Sequence, residues 1–224
     1  MAIEYNSYRP LLSYGYEDLL CLSYPDVLVK DLDLIPEAPN GAAVAKRHGW
    51  PHRVPDTHAL LLDLGYEPTY IDIIKESPRT RLVDLNVADS FGRFDVILDP
   101  GTTEHCFNIG NVFKFIHESL NPNGLVIHTN PCSQINHGFW NLNPGTYVDF
   151  YRHLGYEILE LAYLHGPLDA RQRIDIPPDQ AYVRHTLPVP EVVLFCVARK
   201  TQEVPFSWPT QRKYQKPSAP RGNS

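Results

Sequence analysis

Cysteine is scarce and dispersed. Cys21, Cys106, Cys132 and Cys196 form no CxxC pair, a pattern that suits reduced thiols in a cytoplasm better than a disulfide framework or a zinc site. Basic clusters are missing too. Twenty Lys and Arg stand against 26 Asp and Glu, for a net charge of −6, so nothing draws the chain generally to nucleic acid or an anionic membrane. No apolar run approaches the roughly 20 residues of a membrane span. Residues 1–10 are polar and aromatic, unlike a signal peptide. Internal repeats and long low-complexity tracts are absent. Around His105, His128 and His137 no HxH, HxxxH or nearby carboxylate gives recognised ligand spacing, so no metal is expected there.

What is present is the core of one ordinary domain. The chain has 224 residues, 43% of them hydrophobic, enough for a sizeable core. Residues 1–200 read as a single domain. Residues 201–224 turn polar, Pro-rich and Lys-containing and read as an extended or disordered tail. Asp18 to Leu22 reads as a short strand. Residues 27–55 carry Pro36, Pro39, Gly41, Pro51 and Pro55, which argue against long regular structure. Asp56 caps a helix through Leu64, stopped by Gly65. Strands are expected over Pro68 to Ile74, Arg81 to Asn86 and Phe94 to Asp99. Ile109, Val112, Phe113, Ile116 and Leu120 form one helical face. Leu125 to His128 is a strand, Pro144 to Leu154 a helix, and Tyr156 to Leu164 with Val192 to Ala198 a final strand pair separated by a long loop.

Strands alternating with helices imply an α/β, Rossmann-like, doubly wound and mostly parallel sheet, here with an antiparallel last strand. Ligands of such sheets sit beyond the carboxyl ends of the strands, at the switch point. That rule draws attention to Ser23, Asp72, Asp84 with Asn86, Asp99 and His128. Glu104-His105 follows the strand ending at Asp99, where a histidine can serve as a base near neutral pH; His105 is expected to begin a helix. His128 and His137 can converge with His105. Cys106, beside His105, reads as a buried thiol rather than a nucleophile. Phe139, Trp140, Tyr147 and Tyr151 fit either a pocket wall or the core.

The segment Phe94-Asp-Val-Ile-Leu-Asp-Pro-Gly-Thr-Thr-Glu-His105 resembles the fourth strand and following turn of class I S-adenosylmethionine-dependent methyltransferases. Leu120-Asn-Pro-Asn-Gly-Leu-Val-Ile-His128 is similar to the end of the next helix and the fifth strand. Asn136-His137-Gly138-Phe139-Trp140, with Asp149-Phe150-Tyr151 and Leu154-Gly155-Tyr156, resembles a bacterial and phage subfamily of undefined substrate. The resemblance spans roughly residues 56–198. It implies S-adenosylmethionine as cofactor. Asp72 would hold the ribose, Asp84, Leu85 and Asn86 would lie near the adenine, and Asp99, Gly101 and Thr102 would lie under the methionine end. Ser23 and Tyr24 would stand in the first loop, where such enzymes carry a GxG-like turn; here Leu22-Ser23-Tyr24-Pro25-Asp26 has no glycine.

The implied activity is methyl transfer to an oxygen or nitrogen of a small molecule or glycan, with His137 as base ahead of His105 and Glu104 orienting a neighbour. The eroded first loop keeps an alternative open: a protein of this fold that binds a ligand or a partner subunit without transferring methyl groups. Asn130-Pro131-Cys132 follows the wrong strand for the amino-methylating (D/N)PP(Y/F) signature, so nucleic acid is disfavoured as acceptor. A homo-oligomer is left open.

Overall fold

The computed structural model describes residues 2–13, 15–184, 187 and 190–215. Ten strands and five α-helices follow one another: β1 (Ala2–Glu4), α1 (Tyr5–Leu11), β2 (Asp18–Cys21), β3 (Asp26–Leu28), α2 (Gly41–His48), α3 (Thr57–Asp63), β4 (Glu67–Asp72), β5 (Thr80–Leu82), β6 (Phe94–Asp99), α4 (Ile109–Ser119), β7 (Leu120–Pro131), α5 (Pro144–His153), β8 (Tyr156–His165), β9 (Gln172–Asp175) and β10 (Val193–Lys200). Eight strands form one sheet in the order β5-β4-β2-β6-β7-β10-β8-β9, while β1 and β3 pair separately. From β5 to β7 every pairing is parallel, and β10 runs antiparallel to both β7 and β8. Without β9, the seven strands of the large sheet run 3-2-1-4-5-7-6 in their own chain order. The order reverses between β2 and β6, which is the switch point.

Alternation along the strands divides the core in two. Leu19 and Cys21 of β2 face one side with Tyr70, Val96, Leu98 and Phe195, under Leu11 of α1 and Leu60 and Leu61 of α3. Leu20 faces the other side with Ile71, Ile97, Val126 and Cys196, under Val112, Phe113 and Ile116 of α4 and Tyr147 and Tyr151 of α5. A parallel sheet covered on both faces needs such near-continuous apolar strands. Helix starts follow local chemistry. The Asp56 carboxylate accepts the Ala59 amide at 2.8 Å, and Asn108 accepts that of Asn111 at 3.3 Å. Gly65 leaves α3 at φ +84°, the left-handed stop that favours glycine.

Several sequence expectations change here. The strand read to Ile74 ends at Asp72, and Ile73 and Ile74 are exposed. The strand read from Arg81 to Asn86 is only Thr80–Leu82, because Asp84 folds back on Asn86 instead of pairing onward. Residues 27–55 do contain an eight-residue helix, α2, held by Val44 in a small cluster with Leu28, Trp50 and Val54. The stretch between β8 and β10 carries the edge strand β9. Leu120 opens β7 rather than closing α4. Beyond β10, Val204 and Phe206 lie against the α4–α5 core, and the Val204 carbonyl meets His117 Nε2 at 2.9 Å. Lys216 and Arg221 of the tail fall outside the described residues. Among the described residues no helix is long and apolar enough to cross a membrane.

Candidate functional site

The carboxyl ends of β2, β4, β5, β6 and β7 form one rim, and the named polar residues sit along it. Ser23 follows β2 and is fully buried; its Oγ has no hydrogen-bond partner. Asp72 ends β4, next to β2, and is 8% exposed. Its Oδ1 accepts the Ile74 amide at 3.3 Å, but its buried Oδ2 has no partner. Folded proteins rarely leave such atoms unsatisfied, because each costs about 1–3 kcal/mol. Two such atoms stand on the neighbouring strand ends of β2 and β4. Tyr24 is half-buried, and its ring packs against Tyr70 on the α3 side, with centroids 4.7 Å apart.

After β5, the Asp84 carboxylate accepts from the backbone amide of Asn86 at 2.9 Å and from its side-chain amide at 2.8 Å. Asn86 in turn accepts the Asn108 amide at 2.9 Å. Asn111 donates to the Leu85 carbonyl at 2.9 Å, and Leu85 is buried. The segment 84–86 is therefore fastened to the start of α4, with Asp84 exposed at its tip.

Asp99 ends β6 and is wholly buried. Its Oδ1 accepts the amides of Thr102 at 2.9 Å and Thr103 at 3.2 Å. Its Oδ2 accepts the Thr103 hydroxyl at 2.6 Å, His128 Nδ1 at 2.7 Å and Asn130 Nδ2 at 2.9 Å. Burial pushes this carboxyl up, yet the hydrogen bonds from His128, Thr103 and Thr102 outweigh it and hold the group well below the usual range. Asp99 is thus committed inside the protein and offers no free oxygen to a ligand, unlike its expected place under a methionine. Its turn contributes instead through Gly101, at φ +104°, and through Thr102, whose hydroxyl bonds the Leu22 carbonyl and ties the β6 turn to the first loop.

His128 does not join the other histidines. It is fully buried, its Nδ1–H donates to Asp99, and its Nε2 accepts the Tyr151 hydroxyl at 2.5 Å. Burial raises the Tyr151 hydroxyl far above its ordinary value, so it stays a donor and fixes the imidazole tautomer. Tyr147 and Tyr151 are accordingly core residues, while Phe139 and Trp140 are exposed.

The remaining candidates come together. Thr103–His105 is one turn of 3₁₀ helix, so His105 closes a short helix rather than beginning one. Glu104 is 1% exposed. Asn130 Nδ2 donates to Glu104 Oε2 at 2.9 Å, and the Tyr147 hydroxyl bonds Asn130 Oδ1. Glu104 Oε1 lies 3.5 Å from His137 Nε2 and 3.8 Å from His105 Nε2. The two imidazole centroids are 5.2 Å apart, and both side chains are close to half exposed. His137 arrives by local design. Asn136 takes a left-handed φ of +62°, and the amides of Phe139 and Trp140 donate to the Glu104 carbonyl at 2.9 and 3.3 Å. A Cβ on Gly138 would stand 2.9 Å from that carbonyl oxygen, so this close approach needs glycine. The Glu104 hydrogen bond raises the His137 pKa above its ordinary value, against a smaller opposing effect of burial. Burial pushes the Cys106 thiol up to about 12, which makes it inert. Phe107 and Phe139, edge to face at 5.5 Å, form an exposed apolar lip beside the histidines.

Sequence reasoning missed Asn130 and Gly138. Asn130 entered only through the Asn130-Pro131-Cys132 run, and nothing local announces that it bridges two carboxylates.

No family model and no curated protein matches the sequence. Solved structures do. A complex between the Haloferax volcanii Trm112 methyltransferase activator and a methyltransferase matches 89% of this chain and 91% of its own, at 13% identity and a TM-score of 0.51. The O-methyltransferase of a trans-AT PKS multienzyme of Brevibacillus brevis, in complex with S-adenosyl-L-homocysteine, matches 86% of this chain and 71% of its own at 12% identity and a TM-score of 0.50. The fold is that of the class I methyltransferases. TehB from Haemophilus influenzae matches 65% of this chain at 17% identity and a TM-score of 0.44, and the chain spans about half its length, 53%. Identities this low concern the fold alone. Within the class I fold, the Ser23–Asp72 pair and the Glu104–His105–His137 cluster lie on the rim where ligands of such sheets bind.

Proposed function

We propose that the protein transfers the methyl group of S-adenosylmethionine to an oxygen or nitrogen of a small molecule or glycan. One observation carries this reading: Asp72 Oδ2 and Ser23 Oγ are buried without partners on neighbouring strand ends of a class I fold. An acid there suits a ribose, because a carboxylate can accept from two adjacent hydroxyls. Asp84, Leu85 and Asn86 flank the adenine side. Gly101 and Thr102 provide backbone under the methionine side. The bound cofactor supplies an electrophilic methyl group.

This chain's own part is to place the acceptor and remove its proton. In the metal-free protein His137 is the base, since Glu104 stabilises its protonated form. Glu104 itself stays an orienting group, held by Asn130. The lip of Phe107 and Phe139 favours an acceptor with an apolar face.

Thermal unfolding with S-adenosylhomocysteine tests the reading. The midpoint should rise with ligand, because a compound that binds only the native state stabilises it. Asp72→Ala should abolish the rise and stay folded. No shift in the wild type at millimolar ligand favours the second reading, a class I fold that binds another ligand or a partner subunit without methyl transfer. The glycine-free Leu22–Asp26 loop supports that alternative.

A further inference from the structure

We propose that Glu104, His105 and His137 bind one divalent transition-metal ion of the zinc class, with a coordination position left open. The ligand atoms of the three side chains all lie within 4.8 Å of one another. In a tetrahedral zinc site, bonds of about 2.0–2.1 Å place ligand atoms about 3.3–3.5 Å apart. Glu104 Oε1 already stands 3.5 Å from His137 Nε2 and 3.8 Å from His105 Nε2. Closing the cluster around an ion asks two half-exposed imidazoles to draw in on a fixed carboxylate.

Glu104 is the fixed member. Its Oε2 is held by Asn130, and its carbonyl accepts the Phe139 and Trp140 amides. Asn130 is itself clamped by Asp99 and Tyr147. This is the supporting shell that a ligating carboxylate requires. No Lys or Arg pairs with Glu104 among the described residues; its ion-pair partners are the two histidines. A buried carboxylate costs free energy unless a positive charge compensates it, and a bound ion does so at both imidazoles without their protonation. Two imidazole nitrogens and one carboxylate suit zinc, cobalt or ferrous iron and disfavour magnesium and calcium, which take oxygen ligands. Three protein ligands with an open position characterise reactive rather than structural sites.

What the open position holds rests on the methyl-transfer reading: there it is the acceptor's oxygen. Coordination lowers the pKa of that oxygen, and its proton leaves to solvent past the exposed imidazoles. In the ion-loaded protein His137 is a ligand, and the ion takes over the task of the free base.

The test uses full-length, untagged protein stripped of metal, titrated with Co²⁺ and then Zn²⁺ by visible absorption and calorimetry. The expected result is one equivalent of Co²⁺ with the intense bands of a tetrahedral site, displaced by Zn²⁺. His137→Ala and His105→Ala should each weaken binding by roughly 100-fold, and both positions are exposed enough for the variants to fold. No stoichiometric binding in the wild type, or unchanged binding in the double variant, overturns the proposal. S-adenosylhomocysteine stabilisation measured on the same samples separates the two ideas. Cofactor binding without metal binding sinks the ion site alone. Metal binding lost in the histidine variants, with no cofactor response in any sample, upholds the ion site and sinks methyl transfer.

Discussion

On the β2–β4 side of the rim, Asp72 Oδ2 and Ser23 Oγ are buried with nothing to bond. On the β6–β7 side, Asp99 alone accepts five hydrogen bonds, and Glu104, Asn130, His128 and two tyrosines are joined to it. The β6–β7 end is densely bonded around Asp99, although Thr129 Oγ1 on β7 is also buried without a partner. On the proposed reading, the unpartnered atoms of the β2–β4 end are the ones a bound ligand would satisfy. Saturation suits chemistry, because a side chain that must act has to be held before the substrate comes. The contrast makes opposite demands on mutations at the two ends.

Asn130→Ala should have the largest effect. It removes the donor shared by Asp99 and Glu104, leaving two buried carboxylates short of a partner and the Tyr147 hydroxyl without its acceptor. The expected loss is about 3 kcal/mol of stability by chemical denaturation. A loss well under 1 kcal/mol would mean that the network is not what fixes Glu104.

Acid should break the same end next. The Asp99 carboxyl is held below its unfolded value, which is near 3.9. A depressed carboxyl stabilises the fold at pH above the unfolded value, and that contribution disappears as pH falls through the folded value. Wild-type stability should therefore drop between about pH 4 and pH 2. The Asp99→Asn variant should be less stable at neutral pH and lack this part of the slope. Parallel pH profiles for the two proteins would count against the His128–Asp99 pairing.

Gly138→Ala should cost about 1–3 kcal/mol, because the added Cβ meets the Glu104 carbonyl at 2.9 Å and backbone on both sides must shift. The sharper readout is the His137 imidazole, whose raised pKa should fall back toward its ordinary value by NMR titration as the loop lifts away.

The smallest effects belong to the other end. Asp72→Asn and Ser23→Gly should change the stability of the ligand-free protein by less than about 1 kcal/mol, since each alters a group that lacks a full set of partners. Asp72→Asn should nevertheless cost S-adenosylhomocysteine stabilisation. A large loss of apo stability in either variant would show that these atoms are satisfied in solution and are not a vacant cradle.

Much of this architecture is legible locally. The apolar run of Phe94–Asp99, the face built from Ile109, Val112, Phe113 and Ile116, and the Asp56 cap each declare their element within a few residues. Alternation of such elements implies a parallel sheet, and the parallel sheet implies a rim. Less legible were α2, whose residues are stabilised by a small remote cluster, and β9, a four-residue edge strand with weak patterning. Where neighbours decide, local pattern is silent.

The sequence by itself determined the α/β class, the rim and the residue types available along it, because hydrophobic period and strand ends are properties of consecutive residues. Only the tertiary structure decided their roles. It withdrew His128 and Asp99 into a closed network, packed the half-buried Tyr24 ring against Tyr70, and brought His137 across to a glutamate 33 positions earlier in the chain. Those outcomes depend on which loops the strand order sets side by side and on a glycine small enough to let them touch.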